Sequence, residues 1–76
     1  MKDLVVTITR ALVDDPDGIE VREIEDGNHT VIELRVAPGD VGKVIGKDGK
    51  TAQSIRTLLL AVSQKQGRRL HLDIVD

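Results

Sequence analysis

Four consecutive residues have types and spacing suited to holding an anion: Gly46-Lys47-Asp48-Gly49, with Lys43 before them and Lys50 after. Two glycines three apart let the backbone turn tightly and bring its N–H groups close to a ligand with no side chain in the way. Lys43, Lys47 and Lys50 add positive potential around those donors. A phosphodiester group asks for this combination, because its oxygens accept N–H bonds and carry charge. A helix–helix turn that uses glycine for steric reasons alone has the same spelling, so the four residues need context.

Other chemistries fail on spacing. Gly49-Lys50-Thr51 imitates the end of a P-loop, but that motif needs glycine at position 44, which is Val44. His29 and His71 fall on separate predicted strands, cysteine is absent, and no paired-ligand spacing occurs, so no metal is expected. Ser54 and Ser63 have no evident histidine base to activate them. The expectation is a binding protein rather than an enzyme, without a cofactor.

The elements that must position the glycine turn are legible from periodicity. Leu4, Ile8, Ala11 and Leu12 recur on one helical face and predict a helix over 3–13, with Asp3 as its cap. Asp14-Asp15-Pro16-Asp17-Gly18 stops it. Ile19 and Val21 alternate with Glu20 and Arg22 to begin a strand over 19–25, and Ile24 breaks the parity, which predicts a bulge or a frayed end. Asp26-Gly27-Asn28 is a hairpin turn. In the next strand, 29–37, Ile32, Leu34 and Val36 face one way and Glu33 and Arg35 the other. Asp40 is placed to cap a short helix over 40–45. A longer helix over 50–66 buries Ala52, Ile55, Leu59 and Val62, and Gly67 ends it. Leu70, Leu72 and Ile74 alternate in a last strand. The order is α-β-β-α-α-β. The hairpin strands are antiparallel, and two helices between the second and third strands make that pair parallel through a right-handed crossover. The expected class is α+β, a three-stranded mixed sheet with three helices on one face.

The chain has 76 residues, 39% hydrophobic and 32% charged, without Phe, Tyr, Trp or Cys. One domain over 1–76 is expected, with an aliphatic core and no disulfide. The missing aromatics exclude recognition by stacked bases. No apolar run reaches the roughly 20 residues of a membrane span, and no signal segment is evident, so a cytoplasmic protein is expected. The net charge of -2 hides a segregation: residues 1–34 carry three bases against nine acids, and 35–69 carry eight bases against Asp40 and Asp48. Whole-chain charge opposes a nucleic-acid partner while the second half favours one.

With Val44-Ile45 before the glycine turn and Lys50 after it, the segment resembles the Gly-x-x-Gly loop of a KH domain, which lies between two helices. The element order resembles the bacterial type II arrangement over nearly the whole chain. The chain is most similar to small stand-alone bacterial KH-domain RNA-binding proteins, the KhpA family. The resemblance implies a cytoplasmic RNA chaperone or post-transcriptional regulator that clamps single-stranded RNA with the loop. The residues it puts at the RNA are Lys43, Val44, Ile45, Gly46, Lys47, Asp48, Gly49 and Lys50, with Arg35 nearby and Ile45 first in line for base contact. It also implies a homodimer or a heterodimer with a larger Jag-type KH protein. Among Leu58-Leu59-Leu60, Leu59 falls in the core stripe, Leu58 at its edge and Leu60 on the wet side, so Leu60, with Thr57 and Ala61, is expected at a two-fold interface. The alternative is a KH-fold interaction module with little RNA binding of its own.

Overall fold

The computed structural model describes residues 1–75. Three helices, α1 (Lys2–Leu12), α2 (Val41–Ile45) and α3 (Lys50–Lys65), and three strands, β1 (Glu20–Asp26), β2 (His29–Arg35) and β3 (Arg69–Val75), follow in the order expected. β2 is central. It pairs antiparallel with β1 and parallel with β3.

Alternation along β2 decides which face is covered. Thr30, Ile32, Leu34 and, beyond the strand, Val36 are buried, while Val31, Glu33 and Arg35 point to the open face. Leu72 of β3 lies opposite Ile32 and joins the buried set. The helices close over them with Val5, Val44, Ala52, Ile55 and Leu59. The core is wholly aliphatic, as the composition requires.

Four local expectations change. Asp3 does not cap α1, which starts at Lys2, so Asp3 lies inside the first turn. The buried line of α1 runs through Val5 and Thr9, and Ala11 is exposed. Thr9 tolerates burial because its hydroxyl donates to the Val5 carbonyl at 2.7 Å, leaving its methyl to pack. Ser63 uses the same device, donating to the Leu60 carbonyl at 2.9 Å, and takes the buried place expected for Val62. No bulge forms at Ile24. The β1–β2 register is continuous, Ile24 pairs with Val31 on the open face, and the core-side positions Glu23 and Glu25 stay exposed because β1 is an edge strand.

The turns are tied as their residues dictate. Gly27 and Asn28 form a two-residue hairpin loop between the paired Asp26 and His29. Gly67 ends α3 with its N–H on the Gln64 carbonyl and the Arg68 N–H on the Ser63 carbonyl, the paired bonds of a Schellman cap. The Arg68 guanidinium then bonds Thr30 Oγ1 at 3.0 Å and Glu25 at 3.1 Å, latching β3 to the hairpin.

Candidate nucleic-acid interface

The site begins with an element that holds it from behind. Asp40 precedes α2 but does not cap it with its side chain. Its carboxylate turns inward, is 4% exposed, and accepts the backbone N–H groups of Asp15 at 3.0 Å and Asp14 at 3.3 Å. Lys43, one turn on, reaches Asp14 at 2.9 Å and Asp40 at 3.5 Å. The chain after α1 is thereby pinned to the start of α2. The Asp15 N–H holds the Asp40 carboxyl below its ordinary value; burial opposes this, and the Asp14 N–H and Lys43 reinforce it. Lys43 is raised, first by its bond to Asp14.

A depressed carboxyl stabilises the fold above its unfolded pKa and loses that contribution as pH falls through the folded value. A raised lysine contributes below its ordinary pKa and loses the contribution as pH rises through the folded value. Asp40→Asn, which points an amide N–H at backbone donors, is expected to lower the melting temperature at neutral pH. The gap to wild type should close as a thermal series descends below the carboxylate range. A gap that stays constant with pH contradicts the role given to the charge.

α2 stops at Gly46, which adopts φ 76° and ψ 174°, a region open essentially to glycine alone. A Cβ there would fall 2.6 Å from Thr51 Cβ and 2.9 Å from Thr51 N. Asp48 follows at φ 56° and ψ 27°, and Gly49 at φ 74° and ψ 11°. Asp48 is the one non-glycine residue with positive φ among the described residues. Asp tolerates this left-handed conformation better than most residues, which gives a conformational reason for an acid between Lys47 and Lys50. The Gly49 N–H bonds the Gly46 carbonyl at 3.1 Å, closing one tight turn onto the start of α3. The four N–H groups that begin a helix have no partner within it, and the helix dipole adds positive potential there. Lys47, Asp48 and Lys50 are exposed around the turn.

The structure sorts the expected contacts. Gly46, Lys47, Asp48, Gly49 and Lys50 are contiguous, with Lys47, Asp48 and Lys50 exposed and the two glycines half-buried. Ile45 is half-buried beside them and lies outside the set packed on the core. Val44 is a correction: it is fully buried and cannot touch a ligand. Lys43 is another, because its charge is spent on Asp14 and Asp40. Arg35 is the third. Parity with buried Leu34 sends it to the open face, where it shares a depression with Glu20, Arg22, Glu33 and Val75, away from the helices.

Sequence reasoning missed a feature of α3. Its outer face carries a shallow depression of about 630 Å³ lined by Lys50, Gln53, Ser54, Thr57, Leu58 and Ala61. Thr57 and Ala61 were expected on such a surface. Leu58, exposed by 47%, supplies its apolar centre, whereas Leu60, exposed by 48%, does not line it. The signal was present in the i, i+3, i+4, i+7 spacing of residues 50–61, hidden by their mixed polarity.

A turn of two glycines between two helices, on a three-stranded sheet of this order, is the arrangement of the KH-domain model for KhpA and KhpB, which matches residues 2–74. The chain belongs to the KhpA/KhpB KH-domain family. It is 53% identical over 76 residues to a protein of Halalkalibacterium halodurans, covering all of both chains. It is 52% identical over 75 residues to one from Caldanaerobacter subterraneus subsp. tengcongensis, covering 99% of this chain and 100% of that one. A relative from Aquifex aeolicus is 46% identical over 76 residues, covering 100% and 96%. All three are named RNA-binding protein KhpA. No solved structure matches the chain at a significant level. Among the described residues no helix is long and apolar enough to cross a membrane.

Proposed function

We propose that this chain is a single KH domain that binds single-stranded RNA in the cytoplasm, as an RNA chaperone or post-transcriptional regulator, with Gly46-Lys47-Asp48-Gly49 on the RNA backbone. The observation that carries the reading is the turn itself: positive-φ backbone at the start of a 16-residue helix, with exposed Lys47 and Lys50 beside it. Such a turn clamps phosphates and leaves bases to a neighbouring groove. The chain has no aromatic residue, so bases meet aliphatic surface, and Ile45 is the side chain best placed to offer it. The relatives' shared name supports the same partner.

Fluorescence anisotropy with a labelled mixed-sequence single strand, and with the same strand as a duplex, tests the reading. Tighter binding to the single strand is expected. With Lys43 and Arg35 withdrawn, Lys47 and Lys50 are left to meet phosphates at each loop. At roughly -0.7 per phosphate, log K should fall against log salt with a slope of about -1.4. A flat salt dependence, or preference for the duplex, contradicts the proposal and returns the chain to an interaction module with little RNA binding.

The outer face of α3 supports a second part of the reading, self-association. Leu58 and Ala61 leave apolar surface on a small domain whose own core is complete without them. We place a second copy of the chain there, centred on Leu58 rather than on the expected Leu60. Light scattering should show a dimer at micromolar concentration. Leu58→Glu should yield a folded monomer, and Leu60→Glu should remain a dimer. A wild-type monomer, or a Leu58→Glu dimer, contradicts this face. A wild-type monomer that pairs only with an added larger Jag-type KH protein overturns self-pairing, and loss of that complex in Leu58→Glu assigns the face to that partner instead.

A further inference from the structure

α3 carries the glycine turn at its N-terminal end and the apolar stripe along its outer face. If that stripe pairs with its own copy, the geometry of one helix determines what the second copy brings to the turn. The six lining residues map onto themselves when the helix is reversed. Lys50 exchanges with Ala61, Gln53 with Leu58, and Ser54 with Thr57. Each long side chain meets a short or differently shaped one, and the two small hydroxyl residues meet at the centre. A two-fold interface requires such self-complementarity. The stripe runs from the first residue of α3 to within about one turn of its last, so the contact is lengthwise. Lengthwise contact corresponds to the shallow crossing near 20° rather than to a steep one.

The same pairing extends beyond the stripe. Lys65 lies four residues past Ala61, on the same side of the helix. In the antiparallel pair it falls about one turn beyond Lys50 of the other copy, at the end of α3 from which the glycine turn departs. Lys65 is exposed and forms no ion pair with the described residues. Within its own chain it stands about 22 Å along the helix from Lys50, at 1.5 Å per residue, too far to reach its own turn. We infer that Lys65 of each copy completes the phosphate-binding site at the Gly46–Gly49 turn of the other, so that one RNA backbone is held by both chains. The inference rests on both parts of the proposed function. It adds a consequence: Lys47, Lys50 and the second copy's Lys65 repel one another around an empty turn, and a bound phosphate relieves the repulsion. RNA therefore tightens the dimer, and dimerisation tightens RNA binding by the same factor.

The test is a double-mutant cycle read by anisotropy with a labelled 12-nucleotide mixed-sequence RNA, with sedimentation of the same samples. Lys65→Glu should remain dimeric and lose about tenfold in RNA affinity, while Lys65→Arg keeps it. In the Leu58→Glu monomer, adding Lys65→Glu should change the weaker residual affinity less than twofold. Mixing Lys65→Glu with Lys47→Asp should restore binding, because the mixed dimer contains one intact turn facing one intact Lys65. Equal losses in dimer and monomer, no loss in either, or no recovery on mixing overturns the inference while leaving both earlier readings standing. Undiminished binding by Lys47→Asp alone removes the loop reading. A wild-type monomer, or a Leu58→Glu dimer, removes the pairing, and in either of these cases the shared site falls with its premise.

Discussion

Gly46→Ala is expected to abolish RNA binding and to destabilise the domain by about 2 kcal/mol or more, because an L-residue is strained at its φ and ψ and the new Cβ meets Thr51. At roughly 4–8 °C per kcal/mol for a domain of this size, the melting temperature should fall on the order of 10 °C. The neighbouring glycines make the claim specific. Gly49 also has positive φ, but a Cβ there meets nothing within 4 Å, so Gly49→Ala should cost only the left-handed term, about 1–2 kcal/mol. Gly42, inside α2, has ordinary φ and open space. Gly42→Ala should be neutral or stabilise by about 0.5 kcal/mol. Thermal denaturation of the three variants should therefore rank Gly46 below Gly49 and Gly49 below Gly42. Equal melting temperatures for Gly46→Ala and Gly42→Ala contradict the close approach of Gly46 to Thr51.

The order of elements was legible because each has a one-dimensional signature. Ile32, Leu34 and Val36 alternate, Ala52, Ile55 and Leu59 recur at helical spacing, and Asn28 and Gly67 mark turns. Roles that depend on a third dimension were not. The Lys43 side chain looks like one more cation in a basic run. Only the fold brings Asp14 from the other half of the chain to 2.9 Å from it. Asp40 sits where a cap belongs, yet the same fold offers its carboxylate two backbone donors that compete with the helix end. Arg35 and Val44 were within reach of sequence reasoning. Parity with Leu34 already sends Arg35 to the face away from the helices. For Val44 the short helix had room for one fully buried residue, and the apolar pair Val44-Ile45 split between core and surface. The polar buried residues Thr9 and Ser63 were hidden because their hydroxyls are satisfied by their own helix, which composition does not reveal. Segregation of charge along the chain also became segregation in space. The acids of 14–26 flank the hairpin and the α1 turn, and two bases of the second half, Lys43, which was expected at RNA, and Arg68, are paired with them.

Two substitutions at adjacent positions of the turn should move RNA affinity in opposite directions with the fold unchanged. Lys47 and Asp48 are both exposed, and neither touches the core. Near a phosphate at the protein surface one unit charge some 6 Å away contributes about 1 kcal/mol, taking an effective dielectric constant of about 60. Lys47→Asp replaces an attraction by a repulsion, so about 2 kcal/mol, or roughly thirtyfold in affinity, should be lost. Asp48→Asn removes a repulsion and should gain about fivefold. Asn also tolerates the left-handed conformation found at this position, so the turn keeps its shape. Both are surface changes, with stability effects expected within about 0.5 kcal/mol. Anisotropy titrations at low and high salt should show the two affinities converging as salt screens the charges. If the variants move together, or if Asp48→Asn weakens binding, then the acid contributes something other than conformation, and the phosphate does not sit against this turn as placed here.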